Sequence, residues 1–144
     1  MRRVITFVPA IAGLFLAAPA LADEWSEQVL KLIDAAAETY FKNGYHYGGY
    51  TYEGSLDDGG SERLTIRIGS GMETQLIGAC DTDCSDLDLT LFDANGREVD
   101  TDVEVDDFPI VSVRPAKDAI YTIRVQMVEC DDEPCRFAIQ QFVK

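Results

Sequence analysis

From residue 24 onward the apolar positions recur first with helical spacing and then with a period of two. Trp25, Val29, Leu32, Ile33, Ala36 and Tyr40 fall three or four residues apart, while Glu27, Gln28, Lys31, Asp34 and Glu38 fill the opposite side. This predicts one amphipathic helix over 24–42, within an N-terminal segment 23–44. Asp23 and Glu24 stand where the helix dipole favours negative charge, and Lys42, Asn43 and Gly44 supply a basic last turn and a C-cap.

After Gly44 the pattern alternates. Tyr50 and Tyr52 can share a strand face; Leu64, Ile66 and Ile68 alternate with Thr65 and Arg67; Leu87, Leu89 and Leu91 alternate with Asp88 and Thr90. Met72–Ala79 and Phe108–Val113 are further strand candidates, and Val99, Val103 and Val105 mark a less regular stretch. Gly69-Ser70-Gly71, Asp93-Ala94-Asn95-Gly96 and Arg114-Pro115-Ala116-Lys117 read as turns. Ile120–Val128 and Phe137–Val143 are expected to form an antiparallel hairpin around Cys130-Asp131-Asp132-Glu133-Pro134-Cys135. About seven or eight short strands after a single helix indicate a mainly β protein: an antiparallel, jelly-roll-like β-sandwich over 45–144 with one N-terminal helix.

The first 22 residues carry a different pattern. Arg2 and Arg3 precede a run from Val4 to Ala18 that is apolar apart from Thr6, and Ala20-Leu21-Ala22 closes it with small residues. A basic start, a short apolar middle and an A-x-A end form a secretory signal. Pro9, Gly13 and Pro19 interrupt the run, which falls short of the ~20 apolar residues a membrane span needs. Cleavage after Ala22 is therefore expected, with no span left in the mature chain. That chain keeps 10 basic residues against 26 acidic ones, a formal charge of −16. Such a field disfavours nucleic acid and anionic headgroups as partners.

Four cysteines follow the signal. An even count in an exported chain indicates disulfides, and the short spacings favour Cys80–Cys84 and Cys130–Cys135 among three connectivities. A periplasmic or secreted location follows from the same reasoning. Closing such short loops removes little chain entropy, so local rigidity is the expected gain.

Four segments together carry a family resemblance: Gly69-Ser70-Gly71; Asp86-Leu-Asp-Leu-Thr-Leu-Phe-Asp93 with Ala-Asn-Gly96; Asp107-Phe-Pro-Ile110; and Ala119-Ile-Tyr-Thr-Ile-Arg-Val125. Over roughly residues 60–143 the chain resembles the bacterial pre-peptidase C-terminal domain. The resemblance implies a jelly-roll-like β-sandwich acting as a non-catalytic accessory or binding module, stabilised in some members by Ca²⁺. No peptidase domain precedes it here, Ala119-Ile120 stands where the family has Gly before the Tyr, and the cysteine-framed loops are additions.

Two clusters carry candidate chemistry. Between Asp81 and Asp107 there are nine Asp and two Glu against one basic residue, Arg97. Close carboxylates repel, and a hard cation with several oxygen ligands relieves that repulsion. Asp81, Asp83, Asp86 and Asp88 are the candidate Ca²⁺ ligands, with Asp106 or Asp107 approaching from a neighbouring loop; solvated loop carboxylates are the competing reading. An EF-hand is excluded, since Asp86 stands where Gly is required and Phe92 where the bidentate Glu belongs. The second cluster is aromatic: Tyr40, Phe41, Tyr45, Tyr47, Tyr50 and Tyr52 around the chain's one histidine, His46. It serves either as a ligand platform or as the seal between helix and sandwich.

No G-x-S-x-G elbow, HExxH, P-loop or dinucleotide fingerprint is present. The sequence therefore points to an exported binding module for a protein or glycan partner. The alternatives are a small secreted hydrolase using acidic residues and a ligand-free structural envelope protein.

Overall fold

The computed structural model describes residues 24–144; the signal sequence expected at 1–22 and the N-terminal Asp23 lie outside the described residues. One helix, α1 (Glu24–Lys42), precedes eight strands: β1 (His46–Leu56), β2 (Ser61–Ile68), β3 (Thr74–Cys80), β4 (Cys84–Phe92), β5 (Glu98–Asp102), β6 (Ile110–Val113), β7 (Ala119–Cys130) and β8 (Cys135–Val143). The strands form two four-stranded antiparallel sheets, ordered β1-β8-β3-β6 and β2-β7-β4-β5. The pairings β1 with β8, β2 with β7, β3 with β6 and β4 with β5 are nested about the middle of the chain. This is the wrapped-hairpin arrangement of a jelly roll.

The alternating leucines and isoleucines set the register. Leu64, Ile66 and Ile68 of β2, Leu87, Leu89 and Leu91 of β4, and Ile123, Val125 and Met127 of β7 all turn into one core with Leu76, Phe137 and Ile139 of the other sheet. β3 and β8 instead bury nearly every position. Their outer face is roofed by α1, whose Val29, Ile33 and Ala37 pack on Ile77, Ala79, Ala138 and Phe142. A strand covered on both faces loses its period of two, so Met72–Ala79 shows little alternation.

Two expectations are corrected. The helix buries a narrower stripe than its apolar pattern suggested: Val29, Ile33 and Ala37 at strict four-residue spacing, while Trp25 is 38% and Leu32 41% exposed. A helix lying on one sheet face buries chiefly its contact line. The hairpin expected from Ile120–Val128 and Phe137–Val143 does not exist. β7 and β8 lie in different sheets, and the loop between them crosses the sandwich. Both strands carry apolar residues that face the same core from opposite sides, which a two-stranded ribbon cannot satisfy.

The helix ends as its sequence dictates. The amide of Tyr45 donates to the Tyr40 carbonyl at 3.0 Å and that of Gly44 to the Phe41 carbonyl at 3.1 Å, with Gly44 at φ 84°. This pair of bonds is a Schellman cap, which needs the left-handed conformation that glycine supplies. The Asp93–Gly96 turn joins β4 and β5 as expected, with the Asp93 carboxylate accepting from the amides of Asn95 and Arg97 at 2.9 and 3.0 Å. On the far side, β5 closes the other sheet's edge through side chains. Asp102 accepts the Ile110 amide at 2.8 Å and Asp100 the Ser112 amide at 2.7 Å.

Candidate functional site

Four connections between the sheets lie at one end of the sandwich, and three of them, 57–60, 81–83 and 131–134, meet in one surface while 103–109 runs alongside. The pairings Cys84 with Cys130 and Leu56 with Cys135 bring them there. Both expected disulfides form, each with 5.9 Å between its Cα atoms. Each bridges the two sheets, Cys80 of β3 to Cys84 of β4 and Cys130 of β7 to Cys135 of β8, so they clamp the layers together as well as stapling loops. All four cysteines are buried in the main core. Disulfides of this kind belong to an oxidising compartment. Among the described residues no helix is long and apolar enough to cross a membrane.

Main-chain bonds knit the loops into one surface. The Asp131 amide donates to the Asp83 carbonyl at 2.8 Å, and the Asp81 amide to the Arg136 carbonyl at 3.0 Å. In return the Arg136 amide donates to Asp81 Oδ2 at 2.7 Å. Asp58 bridges the third loop, accepting the Cys130 amide at 3.0 Å while its own amide donates to Glu133 at 3.0 Å. The Glu133–Pro134 peptide is cis. Around these bonds lies a shallow pocket of about 150 Å³, lined by Trp25, Asp81, Asp83, Asp132, Glu133 and Arg136. Asp131, Asp132 and Glu133 are exposed, whereas Asp81 is only 2% exposed and its Oδ1 has no hydrogen-bond partner. Burial pushes the Asp81 carboxyl above its ordinary range and Asp83 adds to the rise, while the Arg136 amide and guanidinium pull it back.

The four expected calcium ligands occupy two places. Asp81 and Asp83 belong to this pocket. Asp86 and Asp88 lie on β4, on the outer face of the second sheet, where Asp86 faces Glu129 and Asp106 and Asp88 faces Arg124 and Asp102. Among the described residues no three acidic, histidine or cysteine side chains stand close enough to hold a metal ion. Asp107 lies near Asp81 at the edge of an adjoining groove of about 300 Å³ beside Leu32.

The aromatic run divides at β1. Tyr40, Phe41 and Tyr47 pack around Phe142 on the helix side of the sheet, Tyr40 stacking on it at 4.5 Å between centroids. Tyr45 joins them edge-on to Tyr40 and donates to the Glu73 carboxylate, a bond that lifts its phenol to about 12. Tyr50 and Tyr52 cross to the inner side, against the main core. Strand alternation makes that crossing, since odd Tyr47 and even Tyr50 and Tyr52 take opposite faces and the two-residue register shift before Thr51 preserves the parity, so the aromatics seal two layers. His46 pairs with Val143, and the stapled loops lie beyond Leu56 at the other end of the same strand.

Trp25 and Arg136 are the residues of this end that the sequence did not single out. The signal was available, since Arg136 follows Cys135 directly and Trp25 opens the helix. No protein-family model matches the chain, and no curated protein proves similar to it in sequence.

Proposed function

We propose that this chain is an exported, non-catalytic binding module whose stapled acidic end recognises a basic segment of a protein partner. The supporting observation is the convergence of three loops at one end of the jelly roll, clamped by two inter-sheet disulfides and displaying Asp131, Asp132 and Glu133 beside Trp25. A rigid acidic rim around an indole offers charge for Lys or Arg and an aromatic face for cation–π contact. Preorganised loops lose little entropy on binding. The accessory role implied by the pre-peptidase C-terminal resemblance agrees with this reading.

Calcium enters the reading through Asp81 and Asp83, with Asp132 and Glu133 as further donors that would draw together on binding. A rise in Tm with millimolar Ca²⁺ that Asp83→Asn abolishes supports it, and an unchanged Tm removes calcium from the reading. The main test is titration with basic, neutral and acidic peptides of equal length. Salt-sensitive binding of the basic set, lost in Asp83→Asn/Asp132→Asn/Glu133→Gln, is expected. Equal binding of all three sets, or an unaffected triple variant, would overturn it.

A further inference from the structure

The outer face of the β2-β7-β4-β5 sheet carries an arrangement at odds with the chain's overall charge. Register aligns Arg63, Arg124 and Thr90 in one cross-strand row, Thr65, Thr122 and Phe92 in the next, and Arg67 beside Ile120 in a third. The guanidinium of Arg63 lies over the Phe92 ring at 5.2 Å and that of Arg124 at 5.8 Å. Arg124 also donates to Thr90 Oγ1 at 3.2 Å, which fixes its fork. An open groove of about 580 Å³ runs over this face, lined by Arg63, Thr65, Phe92, Ile120, Thr122 and the Asp93–Gly96 turn.

The chain has 26 acidic residues against 12 basic ones. Even so, among the described residues the ion pairs are Arg97–Asp93 and Arg114–Glu73; Arg63, Arg67 and Arg124 form none, although Asp88 stands near enough to Arg124 to feel its charge. Protection of a sheet edge accounts for charges on β2, an edge strand. It does not account for Arg124 on the interior strand β7, half-buried and with its Nε lacking any partner. Arg124 thus adds its positive charge from beneath to a face where Arg63 lines the groove without an ion pair, which leaves the Arg63 fork to an outside anion.

We infer that this groove binds an acidic glycan, a chain of sugar rings bearing uronic carboxylates. Phe92 and the half-exposed Ile120 give apolar ground for sugar faces, Thr65 and Thr122 give hydroxyls, and the guanidinium forks match carboxylates in a bidentate manner. Arg63 and Arg67 are four residues apart on an extended strand, roughly 13 Å. That spacing suits carboxylates carried on sugar rings a few units apart along such a chain. A nucleic-acid strand, with a phosphate about every 3.4 Å, meets too few cations here and is repelled by the rest of the chain. The site is independent of the acidic end, which lies on the loops.

The test titrates the purified chain with an oligogalacturonate, its fully methyl-esterified counterpart and an oligoglutamate of matching charge. Binding of the free acid alone is expected, weakened at least about tenfold by Arg63→Gln and by Arg124→Gln. Arg67→Gln, on the exposed edge, gives a second variant that leaves the fold untouched if Arg124→Gln melts early. The triple change at the acidic end should leave this affinity intact. Equal binding of the ester, or of the oligoglutamate, would overturn the assignment. So would undiminished affinity in both Arg63→Gln and Arg67→Gln.

Discussion

The amide of Asp131 donates to the carbonyl of Asp83 at 2.8 Å, joining the tips of two loops closed by different disulfides. Each loop therefore leans on the other's covalent clamp. Replacing Cys130 and Cys135 by serine should cost about 2 kcal/mol, the loop-entropy expectation for so short a ring. The more telling consequence is local: amide exchange should accelerate at 81–84 as well as at 131–134. Faster exchange confined to the mutated loop would show that the two tips move independently.

Asp86 is 8% exposed, and its Oδ1 has no hydrogen-bond partner. Burial first, then the charges of Glu129 and Asp106, holds its carboxyl above the ordinary range. A carboxyl that binds its proton more tightly when folded supports folding at acid pH. That support fades as pH rises through the unfolded and then the folded titration range. Asp86→Asn should raise Tm at pH 7 by about 2–4 °C, with the gap closing toward about pH 3, where the parent is protonated as well. Thermal melts across that range would show a reversed trend if Asp86 is instead stabilised by its charge.

The helix stripe separates two neighbouring residues. Ile33 is 4% exposed against the sheet, and Leu32 is 41% exposed. Ile33→Ala should cost about 2–4 kcal/mol, while Leu32→Ala should stay within about 0.5 kcal/mol. Denaturant melts of the two variants would reverse that order if the wider apolar face were the docked one.

The bulge in β1 makes a similar contrast between adjacent glycines. A Cβ on Gly48 would sit 2.4 Å from the buried Gln141 side chain, whereas one on Gly49 meets nothing within 4 Å. Gly48→Ala should lose about 1–3 kcal/mol through crowding. Gly49→Ala, at an ordinary φ, should be neutral or gain up to about 1 kcal/mol from a stiffer unfolded chain. Equilibrium unfolding of both variants provides the comparison.

Much of the architecture could be read from local patterns. The Leu87-Leu89-Leu91 alternation, the Gly44 cap and the Asp93–Gly96 turn each follow from forces acting within a few residues, and each stands where expected. Sheet membership was different. Whether the chain after Cys130 folds back beside β7 or crosses to the other layer depends on which face of Phe137 and Ile139 meets the core, a long-range choice. The cysteine pairing was legible because short spacing limits the options, but its placement across two layers was not. The same limit hid the pairing of Trp25 with the loop carboxylates, since a residue 56 positions upstream of Asp81 gives no periodic hint of contact. The arginine row over Phe92 was equally silent. Its members lie on three strands, and only cross-strand register brings them together.

The two long borders of the sandwich are built from unlike materials. Along one, β1 runs directly into β2 through a four-residue turn beside the disulfides. Along the other, β5 and β6 are held by the carboxylates of Asp100 and Asp102 gripping main-chain amides. Built this way, the first border should act as a hinge and the second as a clasp, which faster amide exchange in β5 and β6 than in β1 and β2 would show. Transient opening of the layers should therefore start at the clasp and swing about the hinge, exposing the inner faces of β5 and β6 while the stapled end keeps its shape.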